Sequence, residues 1–325
     1  MTPGKLLYLS RQDVEKLRLE MRAVLEAVEA AFVQKGRGQV QMPPKTDIHT
    51  RPDAFLHAMP AYLGAQDAAG LKWIAGYPAN QDLGLPYISG LFILNDAATG
   101  FPLAVMDATW ITAMRTGAAT AVAAKYLARP DARTLGILGC GVQGRANTLA
   151  LRTVFPGLER IFAYDVRPEA AAAFALECQA AHGVACEIRA TPEQAVRPAD
   201  LVVTSGPILR HPTPVIEPAW LRDGVFVCPL DFDSYLTPQA FAAADLLCTD
   251  DLGQYRYFRQ AGYFAHVRPD PADLGDVIAA GAPRRTAGAQ RIISINLGLA
   301  LEDVAVGKLL YERALAAGAG IWLSL

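Results

Sequence analysis

The sequence has few cysteines and few histidines, and neither residue is clustered. Its five cysteines are scattered along the chain without a C-x-x-C pair, and its five histidines are equally dispersed. A disulfide framework or a zinc site requires paired or closely spaced ligands. We therefore expect neither, predict no metal, and read the odd number of cysteines as typical of a reducing compartment.

The sequence also lacks an excess of one charge and any long apolar run. Its formal net charge is −2, which gives no general basic field for nucleic acid or an anionic membrane. No uncharged apolar run reaches the roughly 18 residues needed to span a bilayer. The start, MTPGKLLYLSRQDVEKL, has no apolar core of signal-peptide length. We expect a cytoplasmic protein without nucleic-acid or membrane partners.

The 325 residues, 52% of them apolar, are enough for two domains with a sizeable core. The stretch LSRQDVEKLRLEMRAVLEAVEAAFVQKGRG predicts one amphipathic helix, with Ser10 as its N-cap and Asp13 three residues later. Residues 45–106 form short extended runs between turn signals, which predicts a largely antiparallel sheet. The helix WITAMRTGAATAVAAKYLA follows; its small residues are interrupted by a single arginine, Arg115.

After Arg133 the pattern changes to alternating strands and helices, which predicts a parallel sheet with right-handed crossovers. Near the end, GLALEDVAVGKLLYERALAAG predicts a long helix that returns to the first domain. The fold class is therefore α/β. We expect a Rossmann dinucleotide-binding domain at 129–299 and a mixed α+β domain built from 1–128 and 300–325.

The motif GCGVQG at 139–144 follows a hydrophobic strand and opens a helix, and an acidic residue, Asp165, ends the next strand. Glycines at these positions allow a tight turn, a close approach of the backbone to a pyrophosphate, and close packing of helix and strand. The alternative is a glycine-rich turn without a ligand. The context predicts a dinucleotide site, and Asp165 favours NAD because its carboxylate can accept hydrogen bonds from ribose hydroxyls. Arg167 weakens that preference, since it could reach a 2′-phosphate.

Five other residues are candidates for the chemistry. Lys45 and Lys72 lie in extended, mostly apolar segments, Arg115 opens the small-residue helix, and Asp231 ends a predicted strand of the parallel sheet. His57 lies in FLHAMPA. Each has a structural alternative: a solvent-facing lysine, an arginine whose head group reaches the surface, an aspartate that caps a helix, and a packed histidine. Pattern alone leaves both interpretations open.

The segments QMPPK, HAMPAYL, GLKWIAGYPAN, LNDAATGFPLAVMDATWITAMRTGAATAVAAKYLA, LGILGCGVQG and LGLALEDVAVGKLLYERA occur in this order over most of the chain. This combination resembles the ornithine cyclodeaminase and mu-crystallin family, and within it the archaeal-type alanine dehydrogenases. The resemblance implies a homodimer whose N-terminal substrate and dimerisation domain is completed by the C-terminal helix. It also implies hydride transfer at a carbon that bears an amine or imine.

By the same resemblance, Lys72 and Asp231 are the catalytic candidates, and Lys45, Arg115 and His57 bind substrate. His57 stands where alanine dehydrogenase-like members have Arg before AMP, and LDFDSYLTP replaces the xPGKxEL that many members have. The candidate contacts to NAD are Thr116, Gly139, Gly141, Val142, Gln143, Gly144, Asp165, Arg167, Thr204, Ser205 and Asn296.

Three functions remain open from the sequence. The first is an NAD-dependent enzyme that interconverts a small L-amino acid and its 2-oxo or 2-imino acid. The second is a cyclodeaminase that uses NAD catalytically, oxidising a diamino acid, closing a ring, releasing ammonia and returning the hydride. The third is a non-catalytic NAD(P)H-dependent binding protein.

Overall fold

The computed structural model describes residues 4–281 and 284–325. Numbered in chain order, its strands are β1 (Lys5–Leu9), β2 (Val40–Gln41), β3 (Thr46–Ile48), β4 (Phe55–Leu63), β5 (Ala68–Gly76), β6 (Ile88–Asp96), β7 (Pro102–Asp107), β8 (Thr134–Leu138), β9 (Arg160–Tyr164), β10 (Ala185–Ile188), β11 (Leu201–Thr204), β12 (Phe226–Pro229), β13 (Leu246–Thr249), β14 (Ala272–Asp273), β15 (Ile292–Ile295) and β16 (Ile321–Ser324). Its helices are α1 (Arg11–Lys16), α2 (Met21–Gly36), α3 (Ala108–Leu127), α4 (Val142–Val154), α5 (Pro168–His182), α6 (Pro192–Val196), α7 (Pro238–Ala242), α8 (Leu252–Gln260), α9 (Leu274–Ala279) and α10 (Ala300–Ala317), with short 3₁₀ helices at Pro78–Leu83 and Pro218–Trp220.

The chain forms two compact units. Unit 1 consists of two segments, the chain up to Arg115 and Gly298–Leu325. Unit 2 is Thr116–Leu297. The division falls inside helix α3, whereas the sequence analysis placed a boundary at the end of that helix. The assignment of a substrate role to one unit and a nucleotide role to the other stays a prediction.

Unit 1 is built on one sheet in the order β16-β1-β7-β6-β5-β4-β2, with β3 also paired to β4. Strands β4 to β7 pair antiparallel, as predicted, while β1 joins β7 in parallel and β16 in antiparallel fashion. Residues alternate across β5, so that Lys72 lies on the buried face and Trp73 on the open one. Helix α10 packs on the buried face against β4, β5 and β6. It approaches closely because Gly307 has no side chain where the ring of Phe92 passes.

The prediction of one continuous N-terminal helix is wrong. The capping box between Ser10 and Asp13 is present and starts α1, but α1 ends at Lys16 and α2 begins at Met21. Between them Arg18 adopts a left-handed backbone with φ of 47°. Because this residue is neither Gly nor Asn, composition gave no signal for the break. The turn lets Leu19 enter the core, where it is buried.

Unit 2 is a parallel sheet in the order β10-β9-β8-β11-β12-β15-β13-β14. The Rossmann prediction is confirmed. The order reverses between β8 and β11, and ligands of such folds bind at the carboxyl ends of the strands at this point. Strands β14 and β15 and helices α7, α8 and α9 were not predicted.

The small residues of α3 serve close packing within unit 2. A Cβ on Gly117 would lie 2.5 Å from the carbonyl oxygen of Ala146 in α4. The residues after it, Ala118 to Ala124, are buried. Among the helices of the described residues, none combines the length and apolarity that crossing a membrane requires.

Candidate functional site

Lys72 occupies the centre of the charged site in unit 1. It lies opposite Met59 and Phe92 in the sheet register, and its side chain is completely buried under α10. Its Nζ donates a hydrogen bond to Oδ1 of Asp303 at 2.8 Å, and Oδ2 of the same carboxylate is also 2.8 Å away. A lysine pointing to solvent is therefore excluded.

Arg115 is held by two carboxylates of the first turn of α10. Its Nη1 donates to Oε2 of Glu302 at 2.8 Å, and its Nε lies 3.1 Å from Oδ1 of Asp303. Both acids are fully buried and Arg115 is 6% exposed. The positive end of the helix dipole also favours acids in this turn. Arg115 is thus an interior residue and does not reach the surface.

Gly298 provides the space for the Arg115 guanidinium. Its φ is 81°, and a Cβ there would lie 2.5 Å from Nη1 and 3.0 Å from Nη2 of Arg115. Both the backbone conformation and the close approach require glycine.

Burial and neighbouring charges change the titration of this site. The pKa of Lys72 is lowered to about 8, first by burial and second by the positive charge of Arg115, while Asp303 acts in the opposite direction. Burial raises the pKa of Glu302, against the effect of Arg115. An amine that titrates near neutral pH can both give and accept a proton.

His57 and Lys45 belong to the same unit. His57 is buried and stacks on Phe55 with ring centroids 4.2 Å apart. Burial, followed by the charges of Lys45 and Lys72, lowers the pKa of His57 to about 2. His57 is therefore a neutral ring, and Lys45 is a second buried lysine, 6% exposed.

The glycine motif lies at the carboxyl end of β8 in unit 2. Gly139 has a φ of 97°, and a Cβ on it would lie 2.7 Å from the carbonyl oxygen of Ser205. Gly144 leaves no room for a side chain beside the carbonyl oxygen of Gly139. At Gly141 a Cβ would meet nothing within 4 Å, so the turn is open there. Helix α4 begins next, with Val142 exposed at its first position.

Asp165 stands beside this turn, and its carboxylate is engaged by backbone donors. The N–H of Cys140 donates to Oδ2 at 2.8 Å, and the N–H of Arg167 donates to Oδ1 at 2.9 Å. The Arg167 side chain is farther away, with Nε 3.8 Å from Oδ1. The sheet thus brings Asp165 to the glycine turn, as its position at the end of β9 predicts.

Asp231 follows β12 and is fully buried. Its Oδ1 accepts a hydrogen bond from Oγ1 of Thr204 at 2.6 Å, and its Oδ2 accepts one from the N–H of Gly206 at 2.9 Å. Burial raises its pKa to about 7, although both hydrogen bonds act to lower it. Asp231 therefore does not cap a helix, and its carboxyl group titrates near neutral pH.

The remaining predicted cofactor residues lie in unit 2 as well. Oγ of Ser205 donates to the carbonyl oxygen of Gly139 at 2.9 Å. Asn296 follows β15, and its Oδ1 accepts a hydrogen bond from Oγ of Ser294 at 2.8 Å. Its Nδ2 is buried without a partner among the described residues, so this amide has an unused donor. Gln143 lies in the first turn of α4, where Oε1 is 3.4 Å from the amide nitrogen of Asn147, and Thr116 is half-buried in α3.

Sequence analysis missed Glu302, Asp303 and Gly298. A signal was available, because LGLALEDVAVG places two adjacent acids inside an otherwise apolar helix start. Buried acids are rare unless they are paired, so two acids there predict buried cationic partners.

The chain is similar over nearly its full length to proteins of the same fold whose names state an activity. The chain is 37% identical over 323 residues to alanine dehydrogenase from Archaeoglobus fulgidus, covering 97% of each chain. It matches an archaeal alanine dehydrogenase dimer with bound NAD at 36% identity and a TM-score of 0.87, over 98% of this chain and 99% of that one. It matches Thermococcus litoralis Delta(1)-pyrroline-2-carboxylate reductase, solved with NADH and L-proline, at 33% identity and a TM-score of 0.87, over 97% and 99%.

The family model described as ornithine cyclodeaminase/mu-crystallin matches residues 5–318. With the charged site of unit 1 and the glycine turn of unit 2 on one chain, sequence and structure agree: the chain belongs to the ornithine cyclodeaminase/mu-crystallin family.

Proposed function

We propose that the protein is an NAD-dependent oxidoreductase that interconverts a small L-amino acid and its 2-oxo or 2-imino acid. The observation that carries the proposal is the buried ion network of Lys72, Arg115, Glu302 and Asp303. Burying four charged groups is costly, and it places a titratable amine beside an arginine. The full-length relatives named above, a dehydrogenase and an imine reductase, support the same chemistry.

The residues of unit 2 fit a dinucleotide. The open side of Gly141 admits a pyrophosphate, the N–H groups at the start of α4 favour an anion, and the unpartnered Nδ2 of Asn296 can donate to a carboxamide oxygen. Asp165 favours the ribose hydroxyls of NAD. When bound, the nicotinamide supplies or accepts the hydride.

The residues of unit 1 fit a substrate carboxylate and a reacting carbonyl. Arg115 presents a planar guanidinium, which suits a carboxylate, and Lys45 adds a second positive charge. Lys72 then polarises the 2-oxo or carbinolamine oxygen and exchanges a proton with it. His57, as a neutral ring, contributes shape and no charge.

Asp231 pairs in its ionised form with the amine or iminium. Activity then requires an ionised Asp231 and a protonated Lys72 at the same time, which restricts it to a range of pH. Activity in the reductive direction falls below about pH 7, where Asp231 is protonated, and above about pH 8, where Lys72 loses its proton. The kcat/KM profile is therefore a narrow bell between these values.

We further propose that the protein is a homodimer joined through the open face of the unit 1 sheet. That face carries apolar side chains that are between 36% and 59% exposed, namely Tyr8, Trp73, Leu91, Ile321 and Leu323. Contiguous exposed apolar surface marks interaction sites. Light scattering after gel filtration should give a dimer, and Trp73→Glu should give a monomer; a monomeric unmodified protein contradicts the proposal.

A substrate screen separates the three functions. Small 2-oxo acids are tested with ammonium or methylamine and NADH, and amino acids with NAD, while absorbance at 340 nm is followed. Net NADH oxidation or formation supports the oxidoreductase. Ammonia release from a diamino acid without net NADH supports a cyclodeaminase, and NADH binding without any turnover supports a binding protein.

A further inference from the structure

We propose that the two adjacent carboxylates of α10 have different tasks: Asp303 is the positioning residue that holds the Lys72 ammonium, and Glu302 orients the Arg115 guanidinium. The consequence for catalysis rests on the proposed role of Lys72, but the pairing can be tested without turnover.

The contacts separate the two acids. Asp303 has both oxygens 2.8 Å from Nζ of Lys72 and one oxygen 3.1 Å from Nε of Arg115, so it lies between the two cations. Glu302 accepts a hydrogen bond from Nη1 of Arg115 through Oε2, and neither of its oxygens is paired with Lys72 in the way that Asp303 is. The other oxygen of Glu302, Oε1, is buried without a partner in the part of the chain that the structure describes.

The charges that act on Lys72 come from two elements, α3 and α10. Arg115 of α3 opposes its positive charge, Asp303 and Glu302 of α10 favour it, and Lys72 in turn acts on His57 of β4. Lys45 acts on the same histidine. His57 is neutral, and both lysines are positive, so Asp303 is the nearest charge that stabilises the Lys72 ammonium.

Removing the charge of Asp303 therefore leaves Lys72 buried beside Arg115 alone. An opposite charge within about 4–6 Å shifts a pKa by about 1 to 3 units. Asp303→Asn should lower the pKa of Lys72 by this amount. Glu302→Gln keeps an oxygen that accepts from Arg115 and removes a charge with a smaller effect on Lys72, so its shift should be clearly smaller.

The test is the 13Cε chemical shift of Lys72 against pH in full-length protein labelled with 13C-lysine, with the signal assigned by its loss in Lys72→Met. The midpoint should lie near 8 in the unmodified protein and fall by about 1 to 3 units in Asp303→Asn. Glu302→Gln is the matched control, because the two changes are adjacent on one helix. Equal midpoints in the three proteins, or a larger shift in Glu302→Gln, would overturn the proposal.

Kinetics adds a second readout. The alkaline limb of kcat/KM should move to lower pH in Asp303→Asn, whereas Glu302→Gln should raise KM and move the limb clearly less. If Asp303→Asn does not fold, Arg115→Met takes its place, since loss of the like charge should raise the Lys72 midpoint; an unchanged midpoint there contradicts the account. The NMR titration needs no substrate, so it distinguishes failure of this pairing from failure of the proposed function.

Discussion

The candidate sites of unit 1 and unit 2 differ in the chemical groups that form them. The proposed nucleotide site of unit 2 consists mainly of backbone: a glycine turn, the start of α4 and an aspartate bound by backbone N–H groups. The charged site of unit 1 consists of side chains from distant parts of the chain, brought together only by tertiary packing. Local sequence is therefore sufficient to recognise the first, whereas the second depends on partners that a motif does not contain.

The two sites also differ in the free energy that burying their charges costs. A backbone site offers partial charges that need no counter-ion, because they come from helix and turn dipoles. The cations Lys72 and Arg115 of unit 1 are buried, and each is paired with a carboxylate of α10. We therefore expect substitutions in the charged site of unit 1 to change chemistry and substrate affinity, and substitutions of Asp165 beside the glycine turn of unit 2 to change the choice of cofactor.

The largest effect is expected from Lys72→Ala. Loss of a general acid–base group lowers kcat by about 10²- to 10⁴-fold, while NADH affinity, measured by fluorescence, should stay within a factor of about two. Lys72→Arg should not restore turnover, because a guanidinium does not give up its proton near neutral pH. Full activity in Lys72→Ala would sink the proposed mechanism.

Arg115 comes next. Arg115→Ala should raise KM for the 2-oxo acid about ten- to a hundredfold, since a charge-assisted pair contributes about 1.5 to 3 kcal/mol. Because the change leaves two buried acids with one cation fewer, Arg115→Lys serves as a companion that keeps the charge and loses the planar fork. Arg11→Ala, an exposed arginine of the same unit, is the control. An unchanged KM in Arg115→Ala would exclude a role in binding.

Asp165 tests the other region. A 2′-phosphate next to its carboxylate would be repelled, and even about 2 kcal/mol of repulsion gives more than a tenfold preference for NADH over NADPH. Asp165→Ala should narrow that ratio in kcat/KM and leave the KM for the 2-oxo acid unchanged. Equal efficiency with both cofactors in the unmodified protein would show that Asp165 does not select NAD.

The smallest effect is expected from Gly298→Ala, which should raise KM by a factor of about three to ten by displacing the Arg115 guanidinium. Gly100→Ala is its matched control in the same unit. Gly100 has a φ of 74°, so the backbone strain is similar, but a Cβ there meets nothing within 4 Å. Both variants should melt at lower temperature, and only Gly298→Ala should lose substrate affinity. If the two variants have the same KM, the space that Gly298 leaves for the Arg115 guanidinium does not matter for substrate binding.

Sequence predicted the elements whose signal is local. The alternation in β4 to β7 and the glycine motif before α4 each carry their own pattern, and these parts are confirmed. The break at Arg18 and the edge strand β16 have no such signal. Arg18 adopts a left-handed backbone conformation although it is not a glycine. Strand β16 forms through its pairing with β1.

The candidate site residues, like the elements of the fold, were predicted only in part. Lys72 was singled out in an apolar extended segment, Arg115 at the head of a small-residue helix and Asp231 at the end of a predicted strand, and the family resemblance supplied their roles. The structure brings Lys72 and Arg115 onto one carboxylate. Glu302 and Asp303 were overlooked, because an acidic pair at a helix start is normally explained by the helix dipole alone. The apolar residues around the two acids were the available signal, and the packing of α10 on the sheet shows that both acids are buried.

Transfer of deuterium tests the central claim most directly. NADH that carries deuterium at both positions of nicotinamide C4 is supplied with the best 2-oxo acid and amine of the screen, and the product amino acid is analysed by mass spectrometry and NMR. The account predicts one deuterium on the α-carbon, produced in step with NAD formation and lost in Lys72→Ala. A product without deuterium at that carbon, or no product from any 2-oxo or 2-imino acid, would contradict it.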